Sequence, residues 1–166
     1  MEKAYKKTGF TLVELLIALA ITAVMLVAIA FAINGSSINY SKNEELFNSL
    51  NKARQALLRI TAQIRTADAV STDAIANECS LITPAGQDIT FRYNSTDKKL
   101  YLVTNDDLLD ADYLLCDNVT AMTFTRNTAS KDGVPYVKSV QISITVAEGS
   151  DQMTLSAAAV VRRNMD

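Results

Sequence analysis

The stretch Phe10–Ile33, FTLVELLIALAITAVMLVAIAFAI, constrains this chain more than any other feature: its 24 residues carry one formal charge, Glu14. As an α-helix it measures roughly 36 Å, enough to cross a ~30 Å hydrocarbon core with some tilt. Residues 1–9 hold Lys3, Lys6 and Lys7 against Glu2, so the positive-inside rule predicts a cytoplasmic tail and an exported remainder after Ile33. Three readings compete. A secretory signal would use Leu12–Val27 as its apolar region and an Ala28-Ile-Ala30 or Ala30-Phe-Ala32 cleavage site. A plain uncleaved anchor is the second. Both leave Glu14 without a purpose, although an ionised carboxylate near the bilayer centre costs about 2.5–3.5 kcal/mol. The third reading gives that acid a partner.

The junction Lys6–Leu16, KKTGFTLVELL, joins a basic tail to Gly9, then Phe10, then Glu14. This string resembles the type IV prepilin signal. The resemblance implies that a membrane-embedded prepilin peptidase cuts between Gly9 and Phe10 on the cytoplasmic side of the apolar stretch, and that Phe10 becomes the N-methylated first residue. The helix is then retained, with Glu14 as the fifth residue of the mature chain. A new ammonium and a carboxylate on a neighbouring subunit would relieve the penalty that each charge suffers alone in lipid. Gly9 suits such a cut because it presents no side chain to the protease. Major pilins usually carry a proline in the membrane helix, whereas the first proline here is Pro84. That departure points towards a minor pilin or pseudopilin. The only helix weakness is Asn34-Gly35-Ser36-Ser37, where a kink is expected, since glycine costs about 1 kcal/mol relative to alanine in a helix interior.

Beyond it, Leu46, Leu50, Ala53, Leu57, Ile60, Ile64 and Ala67 recur at spacings of four and three, one apolar helical stripe. The stripe could serve a coiled-coil dimer, but three heptads are short for that, and an open sheet downstream needs one face covered. Helix against sheet is therefore expected. Lys52, Arg54, Arg59 and Arg65 lie largely off the stripe as a solvated face; no aromatic residues interleave for base stacking, so no direct nucleic-acid binding is expected.

From Cys79 onwards the period becomes alternating. Strands are predicted at Ser80–Thr83, Ile89–Tyr93, Leu100–Thr104, Tyr113–Cys116, Val119–Arg126, Val137–Val146 and Met153–Arg163, forming a meander, with a hairpin at Glu148-Gly-Ser-Asp151. In Val140, Ile142, Ile144 and Val146 the alternation is strict, so one face is buried. The fold class is α+β: a long N-terminal helix, membrane-spanning and then amphipathic, on an antiparallel β-meander. The type IV pilin fold has this plan. The predicted organisation is a cleaved leader at 1–9, a transmembrane and fibre-core helix at 10–33, an amphipathic helix at 34–70 and a β-rich head at 71–166. Segments Ile60–Val70, Ile89–Val103 and Tyr113–Asn127 are similar in pattern to minor pilins and J-type minor pseudopilins.

Composition narrows the chemistry. With 166 residues, 49% hydrophobic and 20% charged, one core-forming domain is the most the chain supports. The absence of His removes His-based triads, His-ligated zinc and imidazole proton transfer, and the net charge of −2 provides no global basic field. No enzyme, cofactor or metal site is expected. The acidic run Asn105, Asp106, Asp107, Asp110 and Asp112 has neither the spacing nor the central glycine of an EF-hand loop, and reads as a solvated loop before a calcium site. Cys79 and Cys116, in an exported domain, are expected to form a disulfide closing about 37 residues, the alternative being two buried free thiols.

The resemblance implies a structural prepilin-like subunit of a type IV pilus or a type II secretion pseudopilus. Gly9 and Phe10 would serve processing and Glu14 assembly. Its implied partners are other pilin or pseudopilin subunits, the prepilin peptidase and methylase, a membrane platform protein with its assembly ATPase, and lipid before assembly. The implied location is the inner (cytoplasmic) membrane as a single-pass protein with an exported C-terminal domain, then the fibre.

Overall fold

The computed structural model describes residues 9–106, 111–149 and 151–164, and the chain divides after Ser41 into two compact units. A single helix, α1 (Leu12–Thr66), supplies the regular structure of the first unit and continues into the second. It is unbroken through Asn34-Gly35-Ser36-Ser37, where the sequence predicted a weakness. One glycine costs only about 1 kcal/mol relative to alanine, too little by itself to interrupt a helix of 55 residues. All residues from Gly9 to Ser41 are exposed, including Phe10 at 85% and Phe31 at 74%. A helix apolar on every side and covered on none requires lipid or neighbouring helices around it.

In the second unit, α1 presents Ala53, Ala56, Leu57, Ile60 and Ile64 to the core, with Leu46 and Leu50 half-buried and Ala67 buried just past the helix end. This is the predicted stripe, widened by Ala56 and by two polar residues, Ser49 and Thr61. The Thr61 hydroxyl donates to the Leu57 carbonyl at 2.8 Å, so its burial leaves no orphaned donor. Lys52, Arg54, Arg59 and Arg65 are exposed, as expected of the solvated face.

The strands are β1 (Ala69–Val70), β2 (Glu78–Ile82), β3 (Asp88–Asn94), β4 (Lys99–Thr104), β5 (Tyr113–Cys116), β6 (Val119–Lys131), β7 (Val134–Glu148) and β8 (Asp151–Val160). They form two antiparallel sheets, β1-β2-β3-β4-β5 and β6-β7-β8, where one continuous meander was expected. The split falls at Asp117-Asn118. Asn118 has φ 56°, a left-handed conformation that turns the chain out of the first sheet. Its amide donates to Ser49 Oγ at 3.3 Å and Glu148 Oε2 at 3.0 Å, and Lys52 pairs with Asp117 at 2.8 Å, tying the turn to α1 and to β7. The Tyr93 hydroxyl crosses between the sheets to the Val119 carbonyl at 3.1 Å. One apolar cluster unites helix and both sheets, with Phe91, Ile60, Ile64, Leu81, Leu100 and Ile142 fully buried. The stripe is thus used against the chain's own sheets.

Two further differences have local causes. The β6–β7 hairpin extends beyond Arg126 and Val137 to a turn at Asp132-Gly133, whose φ values of 53° and 82° suit a hairpin turn with left-handed central residues. The expected disulfide is absent: Cys79 and Cys116 are free, buried thiols. They lie on β2 and β5 with β3 and β4 between them, three strand spacings or roughly 14 Å apart, twice the reach of a disulfide. Burial pushes both thiols up to about 11, so neither is ionised near neutral pH.

Candidate functional site

The processing residues sit where the chain enters α1. Gly9, Phe10 and Thr11 precede the first helical residue, Leu12, so the Gly9–Phe10 peptide bond is non-helical and both of its residues are exposed. A peptide bond outside a helical ladder can adopt the extended form that a protease cleft grips. A Cβ built on Gly9 would meet nothing within 4 Å among the described residues, so the fold makes no demand for glycine here. Any requirement for it comes from what binds the junction.

Thr11 and Glu14 together form a capping box. The Thr11 N–H and hydroxyl both donate to Glu14 Oε2 at 2.9 Å, and the Glu14 N–H donates to Thr11 Oγ1 at 3.3 Å. The first helical bond follows, from Leu15 N–H to the Thr11 carbonyl at 3.2 Å. The T-x-x-E spacing places the acid at the third helical position, where it reaches back to satisfy donors that the helix leaves open. A carboxylate there also meets the positive end of the helix dipole. Thr11 is the residue that the sequence reading passed over, although threonine followed three residues later by glutamate at the head of an apolar run is the recognised signature. Both Thr11 donors end on Oε2; none among the described residues ends on Oε1.

The remaining candidates do not converge on this region. In the acidic loop, Asp106 Oδ2 accepts from the Asp88 N–H at 2.7 Å, and the Asn105 amide donates to Asp88 Oδ1 at 2.8 Å and Thr90 Oγ1 at 2.9 Å. These two side chains tie the end of β4 to β3, while Asp107 and Asp110 lie outside the described residues. Among the described residues no three His, Cys, Asp or Glu side chains are grouped to hold a metal ion. Lys3, Lys6 and Lys7 of the leader also lie outside them.

Residues 5–30 match the family model described as the prokaryotic N-terminal methylation motif. The chain carries a type IV pilin-like prepilin motif. The match spans the end of the basic tail with Lys6 and Lys7, Gly9, Phe10, the Thr11–Glu14 cap and most of the apolar segment, and the α+β architecture fits the type IV pilin fold. No curated protein and no solved structure matches the chain. The motif points to a structural subunit that interacts with other pilin subunits and with a prepilin peptidase, and the one helix among the described residues that is long and apolar enough to cross a membrane fits a membrane-anchored pilin.

Proposed function

We propose that this chain is a minor pilin or pseudopilin, cut by prepilin peptidase between Gly9 and Phe10, methylated at Phe10, and drawn from the inner membrane into a pilus or a type II secretion pseudopilus. The organisation proposed for it is a leader at 1–9, a membrane and fibre-core helix at 10–33, an amphipathic segment at 34–70 and an exported head at 71–166. The observation that carries this reading is the methylation motif over residues 5–30, with a non-helical, exposed Gly9–Phe10 bond immediately before a capped apolar helix. Glu14 has two roles in it. One carboxylate oxygen caps α1 through Thr11, and the other is available to the Phe10 ammonium of a neighbouring subunit once cleavage has created it. That pairing lowers the cost of placing both charges in an apolar helix bundle. The missing membrane-helix proline favours a minor subunit. Extraction requires energy from outside the chain, supplied by an assembly ATPase acting through a membrane platform protein. The deciding experiment is intact mass spectrometry of the protein from its native host. The expected product begins with N-methylated Phe10 and lacks residues 1–9. A terminus after Ala30 or Ala32 would establish secretion by an ordinary signal peptide, and an unprocessed chain would establish a simple anchor.

A further inference from the structure

A sheet edge presents unpaired N–H and C=O groups, and proteins usually blunt it by shortness, charge or cover. The two sheets have four edges, and three are managed in these ways. β1 is two residues long and β5 four. The outer edge of β6 lies under the segment before β2: the Phe124 N–H donates to the Ala76 carbonyl at 2.7 Å, and the Arg126 guanidinium donates to the carbonyls of Ala74, Ile75 and Glu78.

β8 is managed in none of them. It is ten residues long and pairs only with β7 among the described residues; its one charge is Asp151 at the hairpin end, and it contains no proline. The Val161 N–H donates to the Lys138 carbonyl at 3.1 Å. Counting back by twos along an antiparallel ladder, the backbone groups of Gln152, Thr154, Ser156, Ala158 and Val160 face away from β7. Beside this edge runs a groove of about 230 Å³ between α1 and β8, whose walls include Arg54, Leu57, Leu58 and Thr61 from the helix and Leu155 and Ala157 from the strand. Leu58 is 65% exposed there. Arg54 has no hydrogen-bond or ion-pair partner among the described residues.

We propose that β8 is a strand-acceptor edge, taking an extended segment of another protein that sends an apolar side chain into the α1–β8 groove and a carboxylate to Arg54. Strand addition supplies main-chain hydrogen bonds for affinity and every second side chain for specificity. The added strand's inward residues would fall over Leu58 and Leu155, replacing water on apolar surface, while its alternate residues stay in solvent. Charge selects the occupant. A second copy's β8 carries its one carboxylate, Asp151, at its first residue, away from the Leu155–Ala157 stretch that lies beside Arg54, and the β1 and β5 edges of a second copy are too short to match a ten-residue strand. The proposal concerns the second unit alone and stands whether or not Gly9–Phe10 is processed.

The test uses the full chain in lipid nanodiscs and, as probe, a synthetic nonapeptide alternating valine with threonine around one central glutamate. Backbone amide exchange is followed by NMR. At saturation the amides of Gln152, Thr154, Ser156, Ala158 and Val160 are expected to slow on the order of tenfold, with those of Leu155 and Ala157 unchanged because they already face β7. The same peptide N-methylated on its pairing edge should give no protection. Arg54→Glu, an exposed substitution that leaves the core untouched, should reverse the preference between the glutamate peptide and its lysine counterpart. Equal protection by a peptide of scrambled order would overturn the proposal. So would slow exchange of the five amides without peptide that quickens on dilution, which would make the occupant a second copy.

Discussion

Glu14 is a charged residue in the most apolar segment of the chain, and its local bonds explain half of why it is tolerated. The capping box gives Oε2 two donors from Thr11, so the carboxylate is not bare at the start of α1. Cap and intersubunit charge can be separated by substitution. Glu14→Gln keeps an oxygen for the Thr11 donors and removes the charge; Thr11→Ala keeps the charge and loses a cap worth about 1 kcal/mol. If the charge serves assembly, Glu14→Gln and Glu14→Ala should insert and be cut nearly normally, then accumulate as processed monomer, while Thr11→Ala assembles. Breaking a desolvated pair from one side costs about 3–5 kcal/mol, well beyond the cost of losing the cap. Crosslinking to partner pilins at equal processed levels measures this, and the opposite ranking would assign Glu14 to the cap alone. The two cysteines make a second prediction at this scale. Their thiols are raised to about 11 by burial, above the value near 9 expected in an unfolded chain. Between these values the unfolded state releases protons that the folded state keeps, so stability falls as pH rises from about 9 to about 11 and is independent of these groups below that window. Thermal midpoints across that range check the sign, with Cys79→Ser and Cys116→Ser each expected to flatten the slope. The predicted meander already placed two strands, Ile89–Tyr93 and Leu100–Thr104, between the two residues, so their separation was legible, and the disulfide expectation rested on the chemistry of an exported domain instead. The Thr11–Glu14 spacing was legible too.

At the scale of elements, legibility followed how much each pattern depends on local geometry. The stripe on α1 was readable because helical period alone decides which residues share a face, and Ala53, Leu57, Ile60 and Ile64 are all buried. The strands from β2 onward were readable for the same reason, with ends displaced by a few residues, whereas the two-residue β1, inside the span read as amphipathic helix, was not. Their grouping into two sheets was not, because Val119–Val146 would alternate identically in a single meander. The break depends on Asn118 in a left-handed conformation, fixed by contacts to Ser49 and Glu148 that lie far from it in sequence. The long β6–β7 hairpin buries little beyond Arg126, so hydrophobic alternation fades there, yet its Asp132-Gly133 turn was a local signal open to reading. The shared core makes the helix answerable to both sheets. Ile60, fully buried in the apolar cluster that helix and sheets share, should cost about 2–5 kcal/mol when replaced by alanine, whereas exposed Leu58 should cost little. Denaturant unfolding of the two variants side by side tests this, and equal losses would mean that α1 is not packed through Ile60.

For the molecule as a whole, the decisive contrast is between a first unit with no buried residue from Gly9 to Ser41 and a second unit that contains every buried one among the described residues, from Ser49 to Val161. The apolar cluster of the second unit is made of that unit's own side chains, from Ala53 to Val161. The first unit's exposed apolar surface is stable only in lipid or among other helices, which is what a membrane-anchored subunit destined for a helical fibre needs. It follows that a chain beginning at Ser36 should lose its need for detergent and keep its fold. Its helical residues 36–48 are largely uncovered and should fray, since a helix of this length without packing is marginal in water. From Ser49 onward the sheets hold α1 in place. The expected product is a soluble monomer with one cooperative unfolding transition and two thiols titratable only after denaturation. Size-exclusion chromatography with light scattering, circular dichroism and thiol titration measure these three properties. A stable helical dimer would mean that the apolar stripe also serves as a coiled-coil seam. A chain that failed to unfold cooperatively would mean that the apolar segment contributes to the head's core, against the division after Ser41.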